Sequence, residues 1–534
     1  MSLHLIFPLA LAFLLGFYCY WKRPASRLPL PPGPKKLPLI GNLLDMPSTF
    51  EWVTYMDWSR KYDSDILHLN AAGKSIVVLS SLEAVEDLLV KRAATYSSRP
   101  RLPMVNELMS WESGLAFMKY GDQWRTHRRL FYETFNPVSV QGFRGEIRDG
   151  SYDLLRRVLR EPDYILGHLR HMAAKIVMSV AYGIEISPKN DPYIALADKA
   201  VEGLMTALVP GRFLVDALPV LKYVPSWFPG AGFKRRAKKW SDLANRMMEE
   251  PYAEAKHKIA IGTAPHSFVR DTLASVEESE NRQGLEFIIQ ATARTMYTAG
   301  TGTTVSVLGT FVLAMLFHPE AQKKAQAEID SVVGNGRLPD FDDEPSLPYV
   351  SAVMKEVLRW INPTPIAVPH FLDTEDEYRG YRIPAKSIIV PNTHAILHDE
   401  VTACRLVFLR RAAILIDYLK AVYPEPYTFK PERYLKDGKI NPDMPSIEIV
   451  YGFGRRICPG RHMADLSVWL SLTCILATFD ITKAIGSDGN PIQPALKYFP
   501  GLVVQPLPFE CSITPRSKEA RELIQATMDD GLLE

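Results

Sequence analysis

Residues 451–470 read YGFGRRICPGRHMADLSVWL, a stretch in which Cys458 stands among glycines and arginines just before an apolar run. Gly454 and Gly460 allow a flat ligand to approach the backbone closely. A helix beginning near Pro459 would direct its free N–H groups at the sulfur, and we expect them, with the neighbouring arginines, to favour the thiolate. Because no cysteine or histidine accompanies Cys458 at metal-ligand spacing, the pattern indicates one sulfur bond to an iron that a porphyrin already holds.

These residues resemble the haem signature of the cytochrome P450 family, F-x-x-G-x-R-x-C-x-G. Gly454, Arg456, Cys458 and Gly460 match it, and Tyr451 replaces the first phenylalanine. The resemblance extends in order over nearly the whole chain, which makes a buried structural thiol the poorer interpretation of Cys458. It implies the cytochrome P450 fold, mainly α with small β-sheets. It also implies haem b with an axial thiolate, and insertion of one atom of dioxygen into a hydrophobic small molecule.

The hydrophobic pattern of the body independently indicates a mainly helical domain. Apolar residues recur three and four apart at 82–91, 122–134, 287–316, 319–333 and 347–360. Short stretches typical of strands lie between them, at 66–69, 75–79 and 387–390. Since no repeat or long linker interrupts the body, one large domain over residues 43–534 is the simplest organisation.

The composition argues against several other classes of protein. Hydrophobic residues make up 47% of the chain and charged residues 23%, which is typical of a globular protein with a large core. The net charge of +2 indicates no nucleic-acid partner. The five cysteines form no C-x-x-C pair, so neither a disulfide framework nor a zinc site is expected.

The N-terminus predicts a membrane anchor. Residues 3–21, LHLIFPLALAFLLGFYCYW, approach the ~20 apolar residues that one bilayer crossing needs, and Lys22 and Arg23 follow. Basic residues after the span favour a cytosolic body. We therefore expect an anchor at 1–22 in the endoplasmic reticulum membrane and a stiff proline-rich linker at 23–42. The alternative is a cleaved secretory signal. Aromatic and basic residues at 224–240 suit a membrane interface, or equally an ordinary loop before a solvated helix.

Other family patterns place a charged network and haem contacts. In the sequence KEVLR, Glu356 and Arg359 are three apart on one helix face and resemble the family's E-x-x-R, which Arg433 of PERY would complete. Alone, such a pair is more often a solvated surface pair.

The sequence WRTHR resembles the family's W-x-x-x-R, through Trp124 and Arg128. By resemblance, Arg128 meets a haem propionate, since a guanidinium can donate two N–H bonds to one carboxylate. Arg456 and His370 would make the other propionate contacts. A purely structural role, without a propionate contact, is an equal alternative for His370.

The oxygen side of the haem departs from the family. Residues 298–306, TAGTGTTVS, align with (A/G)-G-x-(D/E)-T-(T/S), so that Gly302 occupies the acidic position before Thr303 and Thr304. In the family, the threonine orders water and the acid helps to relay protons. Gly302 cannot transfer a proton, whereas Thr303 can donate and accept. We favour a monooxygenase that relays protons through water or substrate. Oxygen-independent isomerisation or dehydration, and sequence error or drift, are the alternatives.

Residues 401–421, VTACRLVFLRRAAILIDYLKA, have no counterpart in the family pattern. A translated intron is the preferred interpretation, because the flanking pieces join into the family pattern without it. A partner-binding helix is the alternative. If the protein is made as written, an inactive haem protein must also be considered, because the insert precedes Arg433.

The resemblance also implies partners. Electrons would come from NADPH through a separate NADPH-cytochrome P450 reductase, with cytochrome b5 as a second candidate donor. Basic residues of the helix at 124–129, with Arg455 and Arg461, form a candidate docking face, or else a solvated basic face without a partner. The ends of the chain most resemble fungal microsomal members that oxidise secondary metabolites and aromatic xenobiotics. Substrate shape would be set by largely apolar segments, namely 104–117, 201–213, the helix before Ala299, 364–368 and 499–504.

Overall fold

The computed structural model of the chain describes residues 28–278, 280–399 and 423–527. The predicted anchor at 1–22 and the insert at 401–421 lie outside these residues. The α-helices are α1 (Glu51–Lys61), α2 (Leu82–Val85), α3 (Ala93–Tyr96), α4 (Asp122–Phe135), α5 (Arg144–Arg160), α6 (Ile165–Tyr182), α7 (Pro192–Leu208), α8 (Leu214–Ala217), α9 (Gly232–Ala260), α10 (Phe268–Ser275), α11 (Arg282–Phe317), α12 (Pro319–Val332), α13 (Pro348–Trp360), α14 (Thr393–Leu397), α15 (Arg461–Thr478) and α16 (Lys518–Ala526).

The strands are short and form small sheets. They are β1 (Ile66–Ala71), β2 (Lys74–Leu79), β3 (His370–Leu372), β4 (Asp376–Tyr378), β5 (Tyr381–Ile383), β6 (Ser387–Pro391), β7 (Leu435–Lys436), β8 (Lys439–Ile440), β9 (Phe479–Thr482), β10 (Tyr498–Phe499), β11 (Gln505–Pro506) and β12 (Ser512–Pro515). A mixed sheet has the order β1-β2-β6-β3, in which β2 and β6 run parallel and the other neighbours antiparallel. The remaining strands pair in twos, including the hairpin β10–β11.

The prediction of a mainly helical domain with small sheets is confirmed for the described residues, whereas the N-terminal transmembrane helix stays a prediction. The long helical patterns appear as α4, α11, α12 and α13. The pattern at 82–91 instead forms the single turn α2 followed by a π-helical segment, Glu86–Lys91. Gly454, four residues before Cys458, packs against the backbone of this segment. Tertiary packing has therefore overridden the simple helical periodicity.

Local sequence signals explain where several helices begin and end. Asp191 precedes α7, and its carboxylate accepts from the backbone N–H groups of Tyr193 and Ile194, while Pro192 occupies the first helical position. α6 ends at Gly183, which has φ +65°, the left-handed conformation that terminates helices. These caps fix the end of α6, which packs against α11, and the start of α7, which packs against α9.

The central helix is α11, which packs against α6, α15, α4 and the hairpin β10–β11. It is long and apolar enough to cross a membrane, but 72% of its most apolar window is buried inside the protein. A helix that is apolar on all sides belongs in a core when other helices surround it. α11 therefore forms the centre of the fold, and α4 and α15 bring the candidate site to it.

Candidate functional site

The cysteine loop, residues 451–460, is a tight turn that leads into α15. The Cys458 amide donates to the Tyr451 carbonyl at 2.7 Å and closes the loop. Gly454 has φ +54°, and a Cβ built there would lie 2.1 Å from the carbonyl oxygen of Leu89. Because backbone atoms of the π-helical segment cannot yield that space, this position requires glycine.

The surroundings of the sulfur do not by themselves favour a thiolate. Burial raises the pKa of the Cys458 thiol, against the lowering effects of the Gly460 N–H and of the Arg128 and Arg461 guanidinium groups. The expectation that the loop alone favours the thiolate is therefore wrong, because desolvation outweighs the helix terminus and the two arginines. A metal cation on the sulfur would reverse this balance, since a coordinating thiol is deprotonated.

Arg456 is buried beside the loop and is held in a fixed orientation. Its guanidinium donates to the carbonyls of Ser97 at 2.6 Å, Leu115 at 3.2 Å and Met118 at 2.7 Å. It also lies over the ring of Trp124, 4.5 Å from the centroid. Burial lowers the pKa of Arg456 to about 9. Trp124, the tryptophan of the W-x-x-x-R pattern, thus packs against Arg456, the arginine of the haem signature.

Three further basic residues converge on the same region. Arg128 donates to the Ile457 carbonyl at 2.6 Å, which places α4 against the cysteine loop. The Nδ1 of His370, on β3, lies 2.8 Å from the Tyr96 carbonyl. Arg99 was not predicted from the sequence, and no motif surrounds it. It donates to the carbonyls of Ala116 at 3.0 Å, Val368 at 2.7 Å and Pro369 at 2.9 Å, the last two just before His370.

This basic cluster, Arg99, Arg128, His370 and Arg456, has no anionic counterpart of its own. Over the described ranges, none of the four forms an ion pair with a carboxylate. Burial lowers the pKa of Arg128, and it lowers the pKa values of Arg99 and His370 strongly, with the nearby arginines adding to the effect. Arginines that are buried or partly buried without an anion are costly. The cluster therefore fits a ligand that brings carboxylates, and the propionates of haem are such groups.

The tyrosine that departs from the haem signature has a partner. The Tyr451 hydroxyl donates to Asp465 Oδ1 at 2.6 Å, and Asp465 lies on α15, seven residues after the cysteine. Burial raises the pKa of Asp465 to about 6, although the tyrosine bond acts in the opposite direction. A phenylalanine at 451 would leave this buried carboxyl group without its donor. The exchange of phenylalanine for tyrosine is thus matched by Asp465, which sequence reasoning did not single out.

The predicted charged network is assembled as a buried unit. Arg359 donates to both oxygens of Glu356, through Nε at 2.7 Å and Nη2 at 2.8 Å. Arg433 Nε donates to the same carboxylate at 3.1 Å, and the Lys430 amide does so at 2.8 Å. Glu356 and Arg359 are fully buried, so the solvated surface pair is the wrong alternative here. The network fixes the segment Pro431–Tyr434 against α13.

On the oxygen side, α11 presents Gly302, Thr303 and Thr304 in successive positions. The hydroxyls of Thr303 and Thr304 donate to the carbonyls of Ala299 and Gly300, at 2.8 Å and 2.7 Å. Thr304 is buried, whereas Thr303 is partly exposed. The Gly302 carbonyl accepts a bond from Gln505 Nε2 at 3.0 Å. Gln505 lies just beyond the predicted substrate segment 499–504, and nothing in the sequence connects it with Gly302.

Known proteins with similar sequences were found over almost the full chain. A family model described as "Cytochrome P450" matches residues 31–402 and 413–513, leaving 403–412 unmatched. "Cytochrome P450 monooxygenase 98" of Postia placenta is 42% identical over 516 residues, which are 96% of this chain and 95% of that protein. "Cytochrome P450 monooxygenase ple1" of Rhodocybe pseudopiperita is 43% identical over 502 residues, 93% of this chain and 91% of that protein. "Tryptamine 4-monooxygenase" of Psilocybe cyanescens is 39% identical over 502 residues, with 93% and 95% covered.

Proposed function

Because this chain belongs to the cytochrome P450 family and is a cytochrome P450 monooxygenase, we propose that it oxygenates a neutral, hydrophobic small molecule of secondary metabolism. The reaction takes R–H, dioxygen, NADPH and a proton to R–OH, water and NADP⁺. Electrons pass from NADPH through a separate reductase. The observation that carries the proposal is the basic cluster beside Cys458, in which His370 and Arg456 are buried and which lacks a carboxylate of its own among the described residues.

The cluster supports a proposed set of residues that would hold haem b. Cys458 would supply the axial sulfur, and Arg99, Arg128, Arg456 and His370 would face the propionates. The bound haem supplies the activation of dioxygen, which a thiolate ligand promotes. Arg456 needs no reorganisation for this role, because its three carbonyl bonds and the Trp124 ring already fix its guanidinium.

The predicted substrate segments favour an uncharged substrate. In the loop at 104–117, Met104, Val105 and Leu115 are buried. Of the two carboxylates in that loop, Glu107 is paired with Arg101 and Lys222, and Glu112 is exposed. A cationic amine would therefore find no free buried carboxylate in this loop. This favours an apolar hydrocarbon over the amine that the name of the Psilocybe relative indicates for that protein.

The reductase proposal rests on arginines around the cysteine loop. Arg125 and Arg455 both lie over the ring of Tyr120, at 5.6 Å and 5.4 Å from its centroid. Arg461 donates to the Cys458 carbonyl at 3.4 Å. Arg125 and Arg129 are exposed on α4 and pair with acids of their own helix. An acidic partner surface could displace such weak intrahelical pairs. Cytochrome b5 would compete for the same face.

We expect microsomes that contain the full chain and an NADPH-dependent P450 reductase to oxygenate an uncharged, apolar hydrocarbon. With ¹⁸O₂, the product should carry one labelled atom, and omission of NADPH should abolish it. Tryptamine in place of the hydrocarbon should give less product, because the loop at 104–117 offers no free buried carboxylate. Product formation that persists without dioxygen would instead support isomerisation or dehydration, the alternative that Gly302 raised.

We propose that residues 401–421 are a translated intron. The family match breaks inside this stretch, and Arg359 donates to carbonyls on both of its flanks, Leu397 at 3.2 Å and Pro426 at 2.7 Å. Arg359 thus joins the two flanks of the insert to the buried network. In the microsomal assay, deletion of 401–421 should retain or raise activity. Sequenced messages from active cells should lack the insert, and only unspliced message would contradict the proposal and favour a partner-binding helix.

We further propose that the body contacts the membrane to which residues 1–22 anchor it, in the endoplasmic reticulum. The apolar patch consists of exposed side chains on two segments, 37–44 and 214–228, and includes Leu39 at 95% exposure and Trp227 at 77%. The β1–β2 turn joins the two segments. Its Ala72 amide donates to the Ile40 carbonyl, and its Lys74 ammonium donates to the Asp216 carbonyl. Exposed apolar side chains on two joined segments beside an anchor fit a lipid surface.

Contact of Trp227 with lipid can be measured in the full chain. We expect brominated phospholipid vesicles to quench the tryptophan fluorescence of the wild type more than that of Trp227→Phe, because bromine quenches only rings near the acyl chains. Trp21 contributes equally to both proteins, and the same lipid without bromine is the control. Equal quenching of the two proteins would show that Trp227 does not contact lipid and would contradict the proposal.

A further inference from the structure

The hairpin β10–β11 is bonded to one face of α11 at three levels. Gln505 Nε2 donates to the Gly302 carbonyl at 3.0 Å, and the Ser306 hydroxyl donates to the Val504 carbonyl. One helical turn further on, the hydroxyls of Thr310 and Tyr498 lie 3.2 Å apart. Residues spaced four apart share one helix face, so these bonds form a row along α11 that ends beside Thr303.

Two glycines of the helix admit the hairpin. A Cβ built at Gly302 would lie 3.2 Å from Gln505 Nε2, and one built at Gly309 would lie 2.8 Å from Pro506 Cγ. Glycine inside a helix costs about 1 kcal/mol relative to alanine, so its presence calls for a packing or functional reason. Here the reason is the close approach of the hairpin. Where the family pattern has an acidic residue, this chain therefore has Gly302, which lies against the polar side chain of Gln505.

We propose that Gln505 is a positioning residue for oxygenation: its carboxamide reaches the helix where residue 302 lacks a side chain, and holds residues 499–504 beside Thr303. The inference rests on the proposed function. Of the two amide hydrogens of Gln505, one is used by the Gly302 carbonyl. The other hydrogen and the amide oxygen retain the capacity to bind water or a polar product group. Because an amide transfers no proton at neutral pH, Gln505 orients groups near Thr303 and does not replace the acid chemically.

The test is a double-mutant cycle between Gln505→Met and Gly302→Ala in the full chain with haem. Methionine keeps the length of glutamine but cannot donate, and the alanine Cβ would crowd the amide, which lies 3.2 Å from the position of that Cβ. Each single variant should give about fivefold faster hydrogen exchange in the peptide 498–506, as expected for one lost hydrogen bond. Each should also lower the product formed per NADPH consumed. Gly302→Ala should add little in the Gln505→Met background, since the bond it disturbs is already absent.

Gln493→Met is the matched control, because Gln493 is exposed and, among the described residues, its side chain bonds to Lys483 alone. It should change neither quantity. Additive effects of the two variants, or unchanged hairpin exchange in Gln505→Met, would overturn the proposal. So would faster exchange with an unchanged ratio of product to NADPH, since the bond would then only stabilise the hairpin. Absence of product in the wild type would count against the proposed function, while hydrogen exchange would still report on the Gln505 bond.

Discussion

We expect Glu356→Gln to lower the free energy of unfolding by about 3–5 kcal/mol, the range found when one partner of a buried ion pair is removed. Glu356 and Arg359 have fully buried side chains, and that of Arg433 is 4% exposed. Glutamine would leave both guanidinium groups buried without a negative charge. It would also lose at least one of the acceptor oxygens that receive bonds from Arg359, Arg433 and the Lys430 amide.

We expect Glu356→Gln to disturb the candidate site as well. Through Arg359 and Arg433, the network holds the carbonyls of Leu397, Pro424 and Pro426, which lie on either side of residues 400–422. Loss of the carboxylate should therefore loosen the chain before the cysteine loop and lower the yield of haem-loaded protein. Urea unfolding followed by circular dichroism, together with haem content per chain, would measure both effects.

Glu432→Gln provides the control for this variant. Glu432 lies in the same segment, but its side chain is 39% exposed and pairs with the exposed Lys324. Removal of such a pair should cost no more than about 1 kcal/mol. If the two variants unfolded at the same urea concentration, the buried network would not be the main support of this region.

The sequence predicted the residues that carry short local patterns, because those patterns reflect local geometry. Gly454 is required by its left-handed backbone, and Glu356 and Arg359 meet because they are three apart on one helix. Helix limits were predicted to within a few residues wherever the apolar pattern was long, as for α11. The segment at 82–91 differed, because its contact with the cysteine loop favours a π-helical segment.

Contacts between distant segments could not be predicted from a single sequence. Arg99 joins the basic cluster only because three carbonyls from two other segments converge on it, and Gln505 reaches Gly302 from 203 positions away. Neither residue belongs to a motif. The direction of the Cys458 pKa shift was mispredicted for a related reason: the helix terminus and the arginines were visible in the sequence, but the burial that raises this pKa was not.

We expect Cys458→Ser to abolish the red-shifted thiolate band in the carbon monoxide difference spectrum of the reduced protein. Product formation should fall to below about 1% of the wild type, because loss of a metal ligand exceeds the 10–100-fold effects of its supporting residues. Serine nearly matches cysteine in size and can still accept the Gly460 N–H, so the loop should close as before. A serine hydroxyl, however, ionises far less readily than a thiol and donates less electron density to a metal.

The same substitution on α15 provides the control. Cys474 is fully buried and points at the Pro339 carbonyl, 3.8 Å from its sulfur and away from the cysteine loop. Cys474→Ser should keep the thiolate band, because a serine hydroxyl can donate to the same carbonyl. If Cys458→Ser retained the band, another residue would hold the haem. If both variants lost it, the effect would reflect folding, since Cys474 lies on α15 outside the cysteine loop and only Cys458 is proposed to bind the metal.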